Sequence, residues 1–133
     1  DGTILVPCQI SPLGPDGSYY NPGGGLTYTL SGVIRGRWRA DKHVEWELSQ
    51  LVDCAPGLST RGMIEPTLAV LADERILMVM RGSNDKNTKL PGYKWYSLST
   101  DGGRTWLPAK QIAHLGERLE GNPHKKADGA QKQ

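Results

Sequence analysis

Residues 99–106 of the chain read STDGGRTW, which combines a turn signal with polar side chains and a tryptophan. Asp-Gly and Gly-Gly pairs favour tight hairpin turns because glycine adopts left-handed backbone conformations without a steric penalty. The side chains of Ser99 and Asp101 can hydrogen-bond backbone groups of such a turn. Trp106 then begins the next strand as a large apolar side chain. The segment predicts a braced turn between two strands, and we interpret Asp101 as structural rather than as a catalytic acid.

Strand patterns recur on both sides of this turn. Short runs rich in β-branched and aromatic residues alternate with Gly- and Pro-rich segments, and hardly any stretch has the periodicity of a helix. The strand-like segments are 2–10, 27–38, 44–52, 68–71, 76–80 and 93–98. The sequence therefore predicts an all-β protein, for which periodicity alone allows a sandwich, a barrel or a propeller.

Side-chain alternation predicts which strand faces are buried. Val44, Trp46 and Leu48 alternate with polar residues, which indicates a half-buried strand with one wet face. Residues 76–80 are apolar at every position, so we expect this strand to be covered on both faces. The four tryptophans are expected in the core between sheets: Trp38, Trp46, Trp95 and Trp106.

Length and charge exclude several classes of protein. A chain of 133 residues that is 37% hydrophobic and 23% charged corresponds to one small domain or to part of one. The net charge of +2 does not indicate a nucleic-acid-binding surface. No apolar run approaches the length of a membrane span, and no signal peptide is visible. Because the chain begins with Asp rather than Met, we expect a chain that was processed, trimmed of a tag or cut from something longer.

Cysteine and histidine content predicts neither a disulfide framework nor a metal site. Cys8 and Cys54 are too few for a disulfide scaffold; two unpaired, buried thiols are the favoured interpretation, and a single bridge is the alternative. His43, His114 and His124 lack the spacing of metal ligands. We therefore expect no metal and no cofactor.

A second informative segment is 62–81, which reads GMIEPTLAVLADERILMVMR. Residues 68–71 and 76–80 flank a polar turn and predict a hairpin. Glu65 precedes the first arm and Arg81 follows the second. Since the two ends of a hairpin meet at the same edge of the sheet, these side chains are expected to be neighbours.

The two segments together resemble the sialidase and BNR-repeat families. Residues 99–106 match the Asp-box motif of those families at Ser99, Asp101, Gly103, Thr105 and Trp106. Segment 62–81 is similar to the sialidase pattern E-P followed by D-G-R and a closing Arg, although Glu74 stands where the family usually has Gly. The resemblance implies a six-bladed β-propeller whose blades are four-stranded antiparallel sheets.

The resemblance also implies roles for two residues. In the family, the residue matching Glu65 activates a tyrosine nucleophile, and the residue matching Arg81 clamps the carboxylate of sialic acid. A planar guanidinium suits bidentate recognition of a carboxylate. Glu65 is therefore expected to be catalytic and Arg81 substrate-binding, with sialic acid or another acidic glycan as the ligand.

The chain is too short for the whole propeller that this resemblance implies. At about 40–45 residues per blade it supplies two to three blades, so 1–119 is expected to be a partial propeller and 120–133 a polar, disordered tail. The family's other two arginines, its acid/base Asp and its Tyr fall outside the matched segments. We expect a fragment or truncated relative of an exo-acting, sialidase-like glycoside hydrolase that is inactive alone.

Two further interpretations stay open. The chain could be a non-catalytic carbohydrate-binding or interaction module built from propeller blades. Copies of the chain could also associate through open sheet edges, since unpaired edges favour pairing with another chain. The cellular location is not indicated by the sequence.

Overall fold

The computed structural model of the chain describes residues 2–112 and contains two antiparallel β-sheets. The first sheet has three strands and the second has four, each in chain order. The strands are β1 (Ile4–Ile10), β2 (Leu30–Trp38) and β3 (Val44–Leu48), then β4 (Ile64–Val70), β5 (Ile76–Arg81), β6 (Lys94–Ser99) and β7 (Lys110–Gln111). Residues 2–112 contain no helix and no closed sheet, which confirms the all-β prediction.

The long connections lie together at one end of the molecule. Segments 11–29, 53–63 and 82–93 all extend from strand ends that adjoin this edge, which we call the loop end. The opposite edge, the turn end, carries the turns 39–43 and 71–75 and segment 100–109. Hydrogen bonds between the sheets align both ends, from Glu65 to Gln9 at the loop end and from Arg35 to Gly102 at the turn end. The expected tail, 120–133, lies outside the described residues.

The core lies between the two sheets and comes from alternate strand positions. On β5, Ile76, Met78 and Met80 are buried, whereas Leu77 and Val79 are only half-buried. Strand β5 is therefore covered closely on one face, and the expectation of burial on both faces was wrong. The buried cluster consists of Val33, Val52, Met63, Ile76, Met78, Met80, Trp95 and Trp106.

Two of the four tryptophans lie outside this core. Trp95 and Trp106 are buried as expected, but Trp38 is 64% exposed and Trp46 is 52% exposed. Both exposed rings lie on the face of the first sheet that points away from the second sheet, alternating with Arg35, which faces inward. Apolar and polar side chains do alternate along 44–48, but nothing in the described residues covers the apolar side of β3. The prediction of a half-buried strand was therefore wrong.

Arg35 is a buried cation that links the sheets at the turn end. Its side chain is 1% exposed. Nε donates to the carbonyl of Gly102 at 2.9 Å, and a terminal nitrogen donates to Glu47 at 3.0 Å. A guanidinium in this position is stable only when its donors are satisfied, because an unpaired buried charge is strongly unfavourable.

The two cysteines are free and half-buried. The prediction of unpaired thiols is confirmed, although neither is fully buried. Burial raises the pKa of Cys54 to about 12, and the neighbouring Asp53 carboxylate adds to the effect. Burial also raises the pKa of Cys8.

Replacing Arg35 should destabilise the fold much more than replacing a surface arginine of the same hairpin. Arg35→Ala leaves the Gly102 carbonyl without its donor and creates a void, so we expect a loss of about 2–3 kcal/mol of unfolding free energy. That range lies below the loss for a fully buried pair, because Glu47 is half-exposed. Urea unfolding measures the difference.

Arg39→Ala is the matched control. Arg39 pairs with Glu45 on the same hairpin, but both side chains are more than half exposed. We expect almost no change in stability for this variant, because exposed ion pairs are screened by water. Equal effects of the two substitutions would contradict the assigned role of Arg35.

Candidate functional site

Glu65 and Arg81 lie side by side at the loop end, as the hairpin spacing predicts. A terminal nitrogen of Arg81 is 3.1 Å from Oε1 of Glu65. The side chains are 42% exposed for Arg81 and 58% exposed for Glu65, so a solvent-borne ligand can reach both. Lys94 stands opposite Arg81 in the strand register, which adds a second cation to this edge.

The backbone of Glu65 is strained. Its φ angle of 53° lies in the left-handed region, which is uncommon for residues other than glycine. The strand register shifts here: Ile64 pairs with Arg81 and Thr67 with Val79, so that Glu65 and the following proline together oppose a single residue. This is a β-bulge, a feature that re-aims side chains and accommodates a proline without a ladder donor.

Two partners on different sheets hold Glu65. Its backbone N–H donates to Oε1 of Gln9 at 2.8 Å, and its carboxylate meets Arg81. Gln9 was missed by sequence reasoning because a lone exposed glutamine in a strand carries no chemical signal. The Nε of Arg81 is buried and has no hydrogen-bond partner within the described residues. The site therefore combines an exposed carboxylate, a strained backbone and an arginine with spare donor capacity.

Polar side chains join the three loops of the loop end into one frame. Asp85 accepts from the backbone N–H of Leu26 at 2.6 Å and from the Thr60 hydroxyl at 2.8 Å. These bonds lower the pKa of Asp85, the Leu26 N–H contributing most. The side-chain oxygen of Asn84 accepts from the backbone N–H of Thr60 at 3.0 Å. A Cβ on Gly25 would lie 2.4 Å from the Asp85 carboxylate and 2.9 Å from the backbone carbonyl oxygen of Thr60, so glycine allows this close approach.

Two tyrosines of the loop end, Tyr19 and Tyr28, are committed to structural hydrogen bonds. Tyr28 is fully buried, and its hydroxyl donates to Asp53 at 2.7 Å. Burial, and then the Asp53 carboxylate, raise the pKa of Tyr28. The Tyr19 hydroxyl donates to the backbone carbonyl of Tyr28. The ring of Tyr20 packs edge-on against the ring of Tyr28. These hydroxyls do not bond to Glu65.

The Asp-box segment forms a braced turn at the opposite end of the second sheet. The Ser99 hydroxyl donates to Asp101 at 2.8 Å and accepts from the N–H of Gly103 at 2.9 Å. Asp101 also accepts from the N–H and the hydroxyl of Thr105, at 3.0 and 2.5 Å. Gly103 has a φ of 81°, the left-handed conformation that the turn requires. The motif therefore stabilises the connection between β6 and β7.

Trp106 docks this turn on the first sheet. Its indole N–H donates to the hydroxyl of Ser49 at 3.3 Å, and its backbone N–H donates to the side chain of Gln50 at 3.1 Å. The backbone N–H of Gln50 donates in return to the carbonyl of Arg104 at 2.8 Å. The turn end is thus a structural interface between the sheets, far from Glu65 in the strand register.

Metal ligands do not cluster within residues 2–112, and two cavities lie away from Glu65 and Arg81. Within residues 2–112, no three His, Cys, Asp or Glu side chains are arranged to hold a metal ion. The same residues include no helix long and apolar enough to cross a membrane. One cavity of about 270 Å³ is lined by 50–53 and 106–109, and another of about 400 Å³ by Gly2, Thr3, Arg37 and Trp38. Neither cavity includes Glu65 or Arg81.

Comparison of the chain with protein-family models, with curated proteins and with solved structures gave no significant match.

Glycine substitutions at Glu65 and Glu74 should show how much each left-handed backbone conformation destabilises the chain. Glu74 has a φ of 66° in the turn between β4 and β5, where the sialidase pattern has Gly. We expect Glu74→Gly to stabilise the chain by about 0.5–1 kcal/mol, because glycine adopts this conformation freely. Glu65→Gly should give a smaller gain or none, since it also removes the pairing with Arg81. Thermal unfolding monitored by circular dichroism measures both.

Val70→Gly is a control for the general cost of introducing glycine. Val70 is exposed at the end of β4 and its φ is not positive. Glycine here should destabilise the chain. If Glu74→Gly were destabilising as well, the left-handed backbone would not be a source of strain.

Asp101 should make the fold sensitive to acid. Partial burial raises its pKa, but the hydrogen bonds from Thr105, Ser99 and Arg104 outweigh burial and lower the pKa to about 2. Because the unfolded value is about 3.9, the carboxylate stabilises the fold at pH values above 4, and this contribution disappears as pH falls from about 4 to 2. We expect Asp101→Ala to lose about 1–2 kcal/mol at neutral pH, and the deficit to shrink below pH 4.

Asp16→Ala is the matched control for this experiment. Asp16 accepts similar hydrogen bonds from Ser18 in an exposed loop that does not dock on the other sheet. Its replacement should change stability little at any pH. A deficit for Asp101→Ala that persisted unchanged at pH 2 would contradict the role of the ionised carboxylate.

Proposed function

We propose that residues 2–112 are neighbouring blades of a sialidase-like β-propeller, and that Glu65 and Arg81 belong to the substrate-binding end of an exo-acting glycoside hydrolase. The observation that carries the proposal is the placement of the two motifs on the second sheet. The Glu65–Arg81 pair lies at the loop end, whereas the Asp-box lies between the outer strands β6 and β7 at the turn end. In the families that the two segments resemble, Asp-boxes lie on hairpins between outer blade strands, away from the catalytic mouth, and this chain has the same separation.

The packing of the sheets supports the blade interpretation. The second sheet is a four-stranded antiparallel meander that begins at β4. Strand β4 lies against β1 and β2 of the first sheet, so the edges of the two sheets converge on one side. Glu65 is at the start of β4, where Gln9 from the first sheet reaches it. A substrate pocket at the convergence of blade edges would include this position.

The chemistry of the pair fits an acidic sugar. Arg81 can present two N–H groups to a carboxylate, and Lys94 adds positive charge beside it. Glu65 can accept a hydrogen bond from a hydroxyl nucleophile, and its strained backbone is of the kind that is concentrated at functional sites. Since a carboxylate nucleophile would be repelled by an anionic sugar, a hydroxyl nucleophile suits this substrate class.

One arginine and one glutamate do not make a complete hydrolase. The Tyr19 and Tyr28 hydroxyls are engaged with the Tyr28 backbone and with Asp53, away from Glu65. We therefore expect this chain alone to bind acidic sugars weakly and not to hydrolyse them.

The second candidate is a carbohydrate-binding or interaction module without hydrolytic activity. The half-exposed Glu65–Arg81 pair favours it, because both side chains are open to solvent. A shallow, open cationic edge can bind an acidic glycan without enclosing the scissile bond.

Titration of the chain with N-acetylneuraminic acid, followed by amide NMR shifts, tests the site. We expect millimolar affinity, with the largest shifts near Arg81, and a loss of at least about fivefold in affinity for Arg81→Ala. The methyl ester of the sugar, which lacks the carboxylate charge, should bind more weakly to the unchanged chain. Arg75→Ala is the matched control, because Arg75 is an exposed, ion-paired arginine of the turn end.

Hydrolysis is measured separately with a fluorogenic sialoside. We expect no turnover above the buffer rate. Turnover abolished by Glu65→Ala would overturn the prediction of an inactive chain and favour a complete hydrolase. Equal shifts for the acid and its methyl ester, unaffected by Arg81→Ala, would overturn the proposed carboxylate site.

A further inference from the structure

The first sheet has an apolar face that nothing in the described residues covers. We call this the outer face: the strand register places Val6, Ile34 and Leu48 in one row, Ile4, Gly36 and Trp46 in the next, and Trp38 with Val44 beyond them. The exposed fractions are 41% for Val6, 48% for Leu48, 52% for Trp46 and 64% for Trp38. A contiguous exposed apolar surface of this kind indicates an interaction site.

On the outer face, the Trp46 ring lies against the backbone of the neighbouring strand. A Cβ placed on Gly36 would lie 2.5 Å from this ring, so the absence of a side chain lets the indole approach the sheet. Apolar faces of β-sheets pack on other sheets at about 10 Å separation. The most suitable partner is therefore another sheet with an apolar face.

An internal repeat relates the outer face of the first sheet to the buried face of the second sheet. Residues 1–9 read DGTILVPCQ and residues 73–81 read DERILMVMR, with Asp, Ile and Leu at matching positions. Strands β1 and β5 both run from the turn end to the loop end, and each pairs with the next strand in the chain. By this match, Ile4, Val6 and Cys8 of the outer face correspond to the buried residues Ile76, Met78 and Met80.

The surface that covers Ile76, Met78 and Met80 indicates which surface could cover the outer face. On the second sheet, the face with Ile76 and Met78 is covered by the inner face of the first sheet, where Leu5 packs on the core. Leu5 corresponds in the repeat to Leu77, which is half-buried on the outward face of the second sheet. That outward face carries Ala69, Leu77, Val79, Tyr96 and Leu98. The outward face of the second sheet is therefore equivalent to the inner face of the first sheet, which covers the core.

We propose that two copies of this chain associate head to tail, the outer face of the first sheet in one copy packing on the outward face of the second sheet in the other. The contact repeats the sheet packing that already exists within the chain. Because it joins two different surfaces, it is heterologous and continues into a ring or a filament. This association uses sheet faces and not open sheet edges. It does not depend on the proposed glycosidase function.

Sedimentation velocity over about a hundredfold range of micromolar concentration tests the association. We expect the average mass of the unchanged chain to rise with concentration. Trp46→Lys on the outer face and Ala69→Lys on the outward face of the second sheet should each weaken association at least about tenfold. Both side chains are exposed, and circular dichroism checks that the variants fold. Leu48→Lys replaces Trp46→Lys if that variant does not fold.

The matched control is Leu26→Lys, which introduces the same charge at an 83% exposed leucine of the loop end. It should associate like the unchanged chain. Mixing the two interface variants distinguishes a head-to-tail contact from a symmetric one, because each variant keeps one intact face. A head-to-tail contact predicts that Trp46→Lys and Ala69→Lys form a one-to-one complex that neither variant forms alone. A monomeric unchanged chain would overturn the proposal, as would full association of Ala69→Lys alone, which indicates a symmetric contact between outer faces.

Discussion

The contact of the buried Arg35 guanidinium with the Gly102 carbonyl is the interaction on which the arrangement of the two sheets depends. Each sheet by itself is a simple meander, and the face of the first sheet that meets the second carries polar residues such as Ser31 and Arg35 beside Leu5 and Val33. Apolar packing alone is not directional and does not set how the sheets are aligned. Arg35, together with the Trp106 and Gln50 contacts, sets this alignment at the turn end. The Asp-box is what presents the Gly102 carbonyl in the correct position.

Alignment at the turn end has a consequence at the loop end. The same packing that joins the Asp-box to the first sheet brings Gln9 beside the start of β4, so that Glu65 is held from two sheets at once. The left-handed backbone of Glu65 is tolerated because the bulge, Gln9 and Arg81 together determine its position. The turn end carries the Arg35 and Trp106 contacts between the sheets, whereas the loop end carries a strained carboxylate with its arginine partner beside loops that are joined by Asp85 and Asn84. Separating the two lets one end be rigid while the other remains accessible.

Local sequence signals predicted the elements well where turn chemistry was explicit. The hairpin around 72–75 and the Gly-rich loop between β1 and β2 appear where the patterns placed them, and the Asp-box forms its turn. The prediction that Trp106 begins the next strand was wrong, because β7 starts only at Lys110 and Trp106 instead packs into the core. Glu74 shows why a missing glycine did not change the hairpin: the turn forms with a non-glycine residue in the left-handed region. Strand faces were predicted less well. Alternation identified the apolar side of β3 but not whether anything covers it, and Trp38 and Trp46 proved to be exposed.

The sequence by itself determined the all-β class, six of the seven strands of the described residues, and the juxtaposition of Glu65 with Arg81, because these depend on short-range periodicity and on hairpin closure. Only the tertiary structure decided which apolar face is buried, that Arg35 is the buried link, and that Gln9 and Asp85 organise the loop end. Those contacts join residues far apart in the chain, some of them across both sheets. Their formation depends on how two sheets pack, and a strand's own pattern carries no information about its partner.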